Sequence, residues 1–275
     1  MADALRVSLR YLLLACVAAL MVGPFLWMVS TSMMDQAEIF RYPPRWFPAE
    51  FTLKNYRAIM QVLPLGRMFL NSTVIALCAT IGQVASCSLA AYAFARMKFR
   101  GQSALYFVLL GTMMIPPQVT MIPVFLIMKA VGWIDTLYAL IVPAFFGGAF
   151  GTFLLRQFFA TIPPDLEDAA RIDGCGRFRI FWRIVLPLSR PALVTLALFT
   201  FMTYWNDLLG PVIYLSSVGN ATLTIGLANL QSDVMTTRYD LLMAGSVLSV
   251  LPILILFVFG QRWFIRGIAV SGLKE

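Results

Sequence analysis

The sequence predicts an all-α integral membrane protein with six transmembrane helices and a charged inner loop that carries a short helix of its own. Three observations carry this. Of the 275 residues, 60% are hydrophobic and only 12% charged, against about 25% charged in soluble domains. Six apolar runs, near 11–33, 68–95, 103–128, 136–155, 191–215 and 241–261, have the length of about twenty residues that a bilayer requires. The basic residues are also unevenly placed. With the N-terminus inside, the outer segments hold Arg41, Arg45, Lys54, Arg57, Arg67, Lys129 and Arg238, and the inner segments hold the other fourteen of the 21 Lys and Arg. That excess puts both termini in the cytoplasm.

Composition also excludes chemistry. The net charge is +8, but the basic residues are dispersed at the ends of apolar runs, a pattern that suits lipid headgroups better than nucleic acid. There is no histidine, so Ser-His-Asp catalysis and histidine metal ligation are absent. The cysteines, Cys16, Cys78, Cys87 and Cys175, lack CxxC spacing, and neither a disulfide nor a metal is expected. No G-x-x-x-x-G-K-[ST] occurs, so the chain has no P-loop for ATP. No catalytic residue and no cofactor are expected in this chain.

Taken in order, the first run follows Arg6 and Arg10 like a signal peptide. It is too long for one and lacks a clear cleavage site, which makes it a retained anchor. The outer loop near 34–66 carries Phe40, Tyr42, Trp46 and Phe47 among prolines, residues suited to the headgroup interface or to an external partner. In the second run Gly82, Ser86 and Ala90 recur every four residues, the small-residue spacing of close helix contact. Gln83 beside them fits either packing or a solute path. Pro116-Pro117 is expected to interrupt the third run. Pro24, Pro123, Pro143, Pro211 and Pro252 predict further kinks. In the fifth run, Tyr204-Trp205-Asn206-Asp207 contains the one ionisable residue clearly within a predicted span. Asn206 and Asp207 are therefore candidates for the solute path, with a position near the outer surface, beside a kink at Pro211, as the alternative. The polar segment near 216–239 reads as an outer connection.

The longest charged interval between strongly apolar segments is Pro163–Pro187. Pro163 and Pro164 suit a helix start. Asp165, Glu167 and Asp168 suit its first turns, where the helix dipole favours acids, and Gly174 is placed to end it in a left-handed conformation. A second segment follows, with Phe178, Phe181, Trp182 and Val185 expected on one side and arginines between them. A helix of about nine residues is marginal alone in water. It either docks on a partner or lies on its own domain.

Asp168-Ala169-Ala170, then Gly174, then Ile184-x-Leu186-Pro187 resembles the EAA loop of bacterial ABC importer permeases, with Asp168 in place of the triplet's glutamate. Asn55-Tyr56, the Trp205-Asn206-Asp207 group and the segment from Arg262 onward resemble the MalG-type, sugar-transporting subgroup. The resemblance implies the type I ABC importer permease fold. It divides the chain into an anchor and outer loop at 1–65, a permease domain at 66–262 and a cytoplasmic tail at 263–275. It also implies that Glu167, Asp168, Ala169, Ala170, Asp173, Gly174, Ile184, Leu186 and Pro187 form a coupling helix and its frame, docked on a cytoplasmic ATPase. The implied partners are a second, MalF-type permease, two ABC ATPase subunits that hold ATP and Mg, and an extracytoplasmic solute-binding protein. The implied solute is a sugar or related polar molecule. In such relatives the 216–239 loop reaches into the binding protein and the tail approaches the ATPase pair. The alternative outside the family is a stand-alone secondary transporter or channel. Within the superfamily it is a glycerol-phosphate, peptide or amino-acid permease.

Overall fold

The computed structural model describes residues 2–231 and 238–272, with side chains described for 6–231 and 238–261. The elements among them are all helical. In chain order they are α1 (Ala2–Ser32), α2 (Gln36–Ile39), α3 (Lys54–Val62), α4 (Leu65–Arg96), α5 (Gln102–Gly111), α6 (Pro117–Val131), α7 (Tyr138–Ile141) and α8 (Ala149–Ala160). There follow α9 (Asp165–Ile172), α10 (Arg177–Ile180), α11 (Leu186–Leu188), α12 (Arg190–Trp205), α13 (Leu209–Tyr214), α14 (Leu223–Gln231) and α15 (Tyr239–Gly272). Four helical stretches among the described residues are long and apolar enough to cross a bilayer: Arg6–Ser32, Leu65–Arg96, Tyr138–Ala160 and Tyr239–Gln261. Two bent helix pairs raise the number to six.

The chain forms two compact units. One comprises Met1–Gly66 and Ile225–Pro252, the other Arg67–Thr224 and Ile253–Glu275. In the first, α1 exposes nearly its whole length, as a helix in lipid or against another chain would. Its C-terminal end is clamped by Asn55-Tyr56 on α3. The buried Asn55 Nδ2 donates to the carbonyls of Ser32 and Met34 at 3.0 and 2.8 Å, satisfying carbonyls that α1 leaves orphaned. The Tyr56 hydroxyl meets Ser32 Oγ at 2.7 Å. Phe40, Tyr42, Trp46 and Phe47 are exposed, and Trp46 packs edge-on against Trp27. On α15, Gly245 admits Leu227 and Ile59 so closely that a Cβ there would lie 2.4 Å and 2.8 Å from them.

The second unit is built on α4. Its small-residue stripe receives the segment between α7 and α8. A Cβ on Gly82 would lie 2.4 Å from the Phe145 ring. Ser86 Oγ points to the Ala144 carbonyl at 3.4 Å, and the Gly148 N–H donates to Cys87 Sγ at 3.2 Å. The fourth apolar run is therefore not one regular helix: α7 passes through a 3₁₀ segment, Val142–Phe146, and α8 starts at Ala149. Gly147 (φ +83°) makes that turn possible. Pro116-Pro117 interrupts the third run as expected, and α5 and α6 meet at 101°. Pro116 lacks the N–H that would continue α5, and Pro117 opens α6 at its first position.

The fifth run departs from expectation. α12 has 16 residues, about 24 Å of helix, and the chain breaks at 206–208 instead of kinking at Pro211. Asp207 consequently lies between α12 and α13 and not inside a membrane helix. Its Oδ1 accepts from the Gly210 N–H at 3.2 Å, serving the start of α13. Pro211 then falls in the first turn of α13, where a missing N–H costs nothing. The bent partner of α12 is the preceding Arg177–Leu188 segment, at 79°.

The described part of the 216–239 segment is not a plain polar connection: it contains α14. Residues 232–237, part of the loop expected to reach an external partner, lie outside the described residues. Its first half is pinned within the second unit. Arg67 Nε and Asn71 Nδ2 donate to the Gly219 carbonyl at 2.7 and 3.0 Å, and the Leu223 N–H donates to Ser72 Oγ at 2.9 Å. Asp135, held at φ +59°, accepts from the backbone N–H groups of Ser217 and Ser216 at 2.9 and 3.0 Å and from Ser217 Oγ at 3.0 Å. The tail expected to approach an ATPase continues the α15 backbone to Gly272, and its last residues, 273–275, lie outside the described residues.

The hydrogen bonds from Ser217 and Ser216 hold the Asp135 carboxyl down at about 2. A carboxylate depressed below its ordinary value stabilises its loop fully above that ordinary value, near 4, and loses the contribution as pH falls through about 2. We expect amide protection of Ser216 and Ser217, corrected for intrinsic exchange, to be flat from pH 8 to 5 and to fall below about pH 4. Asp135→Asn, which tolerates the left-handed backbone and can still accept, should keep the loop and lose the pH dependence. Asp135→Ala should lose protection at every pH.

Candidate functional site

The Pro163–Pro187 loop folds as two short helical pieces, and its acidic piece has two distinct faces. α9 begins after Pro164, and Asp165, Glu167 and Asp168 occupy its first turn. It ends in a complete Schellman motif. The Gly174 N–H donates to the Arg171 carbonyl at 3.0 Å and the Cys175 N–H to the Ala170 carbonyl at 2.9 Å, with Gly174 at φ +77°. No atom lies near a Cβ built at Gly174, so the need for glycine there is conformational, not steric.

The inner face of α9 consists of Glu167, 2% exposed, and Ala170, 8% exposed. Asp168, Ala169 and Asp173 are exposed, as are Leu166 at 44% and Ile172 at 87%. Glu167 is thus separated from its neighbour Asp168 by a quarter-turn and by a change of environment. Among the described residues Asp168 pairs only with Arg171, at the surface, at 2.7 Å. Glu167 turns inward to Arg96, the last residue of α4, with Oε1 3.1 Å from Nε. The two atoms are close, but not aligned for a hydrogen bond. Arg171 adds a second, longer contact to Glu167 at 3.5 Å. The Arg96 guanidinium also donates to the carbonyls of Phe159 and Ile162, at and just after the end of α8. One cation therefore joins the C-terminal ends of α4 and α8 to α9, the foot helix of the loop.

Arg96 is the site residue that sequence reasoning missed. It was counted only as an inner positive charge. Its signal was its position, a basic residue closing a long apolar run, where a cation favours the helix C-terminus. That it reaches a second helix and a loop 71 residues away (96 to 167) is not legible locally.

The second piece packs the loop onto the spans. Ile180, Phe181 and Val185 join Ala170, Tyr92, Leu155 and other residues of α4, α8 and α12 in one buried cluster. Ile184 and Leu186 pack against its edge, and Pro187 is exposed. The expected single face of Phe178, Phe181, Trp182 and Val185 is split. Residues 181–185 form a π-helical turn, whose wider winding changes which side chains align. Phe181 and Val185 are buried, whereas Phe178 and Trp182 are 70% and 63% exposed and stack on one another. They line an apolar groove of about 430 Å³ along α4.

Of the solute-path candidates, Gln83 faces a cavity. It lines a space of about 170 Å³ between α4, α8 and α12, with Phe150, Phe199, Thr200, Thr203 and Tyr204. Asn206 is exposed and folds back, its Nδ2 donating to the Met202 carbonyl at 2.9 Å. Asp207 is committed to the start of α13, and its carbonyl accepts from Thr224 Oγ1 at 2.8 Å. The fold does not bring Asn206 and Asp207 into the cavity with Gln83.

Comparison with known proteins follows the same outline. The family model for the binding-protein-dependent transport system inner membrane component matches residues 82–270. The probable ABC transporter permease protein YurM of Bacillus subtilis is 33% identical over 256 residues, covering 91% of this chain and 83% of its own. The arabinooligosaccharides transport system permease protein AraQ of Halalkalibacterium halodurans is 35% identical over 263 residues, covering 94% of each chain. The sn-glycerol-3-phosphate transport system permease protein UgpE of Yersinia pestis is 33% identical over 245 residues, covering 86% of this chain and 87% of its own. A crystallised bacterial ABC transporter involved in the import of the acidic polysaccharide alginate superposes with a TM-score of 0.84 at 23% identity, over 96% of this chain and 98% of that one. A second, in complex with an alginate pentasaccharide-bound periplasmic protein, gives 0.66 at 15% identity, over 94% of each chain. With its foot helix, its helical body and the match across most of its length, the chain belongs to the binding-protein-dependent ABC importer permeases, as a multi-pass inner-membrane subunit that carries no catalysis or cofactor of its own.

Proposed function

We propose that this chain forms half of the translocation path for a sugar or related polar solute, and that it receives work from a separate ATPase through the 163–187 loop. The observation that carries the reading is the two-faced foot. The inner face of α9 is fixed to the ends of α4 and α8 through Glu167 and Arg96. Its outer face, with Leu166, Asp168, Ala169, Ile172 and Asp173, is exposed. Such a helix passes a push on its outer face directly to two membrane helices. The exposed Ile172 and small Ala169 suit a partner cleft that approaches closely, and the Schellman end at Gly174 fixes where the helix stops.

In this reading ATP binding, with Mg on the partner ATPases, closes that pair. The foot moves with its cleft, and the two permeases of the pore rock between inward-open and outward-open forms. The second permease is of MalF type, and an extracytoplasmic binding protein delivers the solute. The Lys and Arg distribution supports a cytoplasmic foot and cytoplasmic termini. The relative named for arabinooligosaccharides supports a sugar-like solute, with glycerol phosphate as the nearest competing class.

Co-purification of the assembled complex and ATP-driven uptake in proteoliposomes test this. Asp168→Lys removes only a surface pair, itself worth under about 1 kcal/mol. We expect the chain to insert normally, ATPase retention to fall about tenfold and uptake to fall with it. Arg96→Ala leaves the buried Glu167 with only the longer, half-exposed Arg171 contact, at a cost of up to about 3–5 kcal/mol. We expect a lower unfolding temperature of the chain itself and a raised, solute-independent ATPase rate. Gly174→Val forces a β-branched residue into a left-handed conformation costing about 1–2 kcal/mol or more. Uptake should drop while the six spans still insert. Undiminished uptake in both Asp168→Lys and Gly174→Val would remove the foot from the mechanism.

A further inference from the structure

The cavity between α4, α8 and α12 has a composition that selects among solutes. Its volume is about 170 Å³, below the roughly 300 Å³ at which small-molecule sites usually begin. It therefore has room for one ring-sized unit and not for an oligosaccharide. Phe150 and Phe199 meet edge to face on one side, with centroids 6.4 Å apart. The other walls carry the Gln83 amide and the hydroxyls of Thr200, Thr203 and Tyr204.

The hydrogen-bonding state of these groups is informative. Thr203 Oγ1 donates to the Phe199 carbonyl at 2.9 Å, leaving its lone pairs free to accept. The side-chain polar atoms of Gln83, Thr200 and Tyr204 make no hydrogen bond to another described residue. Thr200 is only 4% exposed. A half-buried amide and two such hydroxyls in one apolar-walled space are costly to leave unpaired. Each can both donate and accept, which matches a hydroxyl group, itself donor and acceptor. An anionic oxygen needs donors only, and preferably a cation. No Lys or Arg lines the cavity, and the titratable group that follows Tyr204 in the chain is an acid, Asp207.

We propose that this cavity is a solute subsite that takes one neutral, hydroxyl-rich unit, a sugar ring or a polyol, and discriminates against phosphate esters and uronates. Gln83, Thr200 and Tyr204 supply the reciprocal hydrogen bonds, Thr203 an acceptor, and the phenyl edges the apolar wall for the C–H face of the ring. The proposal rests on the solute-path reading above and narrows it: of the solute classes that the chain's relatives are named for, it favours neutral glycosides over glycerol phosphate.

The test uses the complete importer, this chain with its partner permease, ATPase and binding protein, in proteoliposomes. ATP-driven uptake is measured for arabinotriose, maltotriose and glucosylglycerol on one side, and for sn-glycerol-3-phosphate and an alginate trisaccharide on the other. Gln83→Leu, Thr200→Val and Tyr204→Phe are compared with wild type. Each removes hydrogen-bonding atoms while nearly keeping the shape, and a single lost bond corresponds to about a two- to tenfold effect. We expect uptake of at least one neutral probe, and a drop of about fivefold or more in its rate in Tyr204→Phe and Gln83→Leu. If Gln83→Leu fails to assemble, Tyr204→Phe and Thr200→Val carry the same comparison. Wild-type uptake rates in the variants, or faster uptake of an anionic probe than of every neutral one, would overturn the subsite and leave the importer reading standing. ATP-independent uptake by this chain alone would overturn the importer reading itself, and the subsite with it.

Discussion

The guanidinium of Arg96 is the constraint on which the second unit depends. It ends α4, donates to two carbonyls at the end of α8 and faces the buried carboxylate of Glu167. A charge this deep is tolerated only with its partners in place. So the positions of three helix ends are set together, and none can move far without exposing or orphaning the others. The apolar cluster around Phe159, Phe181 and Val185 supplies the contact area beneath it. The ion pair supplies direction, because apolar packing alone has little angular preference.

The helix breaks are distributed unevenly over the fold. Prolines and glycines interrupt the third and fourth runs at 115–117 and 147–148. The fifth run breaks at Asn206-Asp207, where the Asn206 amide adds a bond to the Met202 carbonyl and the Asp207 carboxylate accepts from the Gly210 N–H at the start of α13. The loop carrying α9 is held differently, by burial, a charge pair and a defined helix stop. Where α4 meets the hinge before α8, Gly82, Ser86 and Cys87 let backbone approach backbone, and this contact also frames the cavity lined by Gln83.

Much of this was legible in the sequence because its causes are local. Runs of apolar residues gave the spans, Pro116-Pro117 a break and Gly174 a helix stop, since a missing N–H or a missing Cβ acts on the residues beside it. The Asn55-Tyr56 pair was noticed only as a resemblance, and the structure supplies its cause: an amide that caps the end of α1 from another helix. Two readings failed for nonlocal reasons. Asp207 looked intramembrane because hydropathy averages over a window that spans two short helices. Phe178 and Trp182 were grouped with Phe181 because a regular helical period cannot foresee a π-turn. Glu167 and Asp168 were placed in the first turn of the short helix, where both lie, but nothing local told that one would be buried and the other exposed.

By itself the sequence determined that this is a membrane-spanning helical body with an acidic, alanine-bearing foot and no catalytic centre, because hydropathy, charge bias and helix-stop chemistry are properties of short stretches. Only the tertiary structure decided which acid anchors the foot, that Arg96 receives it, and that Gln83 shares a cavity with Thr200 and Tyr204 while Asn206 and Asp207 do not. Those facts depend on which faces of distant helices meet, and that is settled by packing across the fold and not by neighbours along the chain.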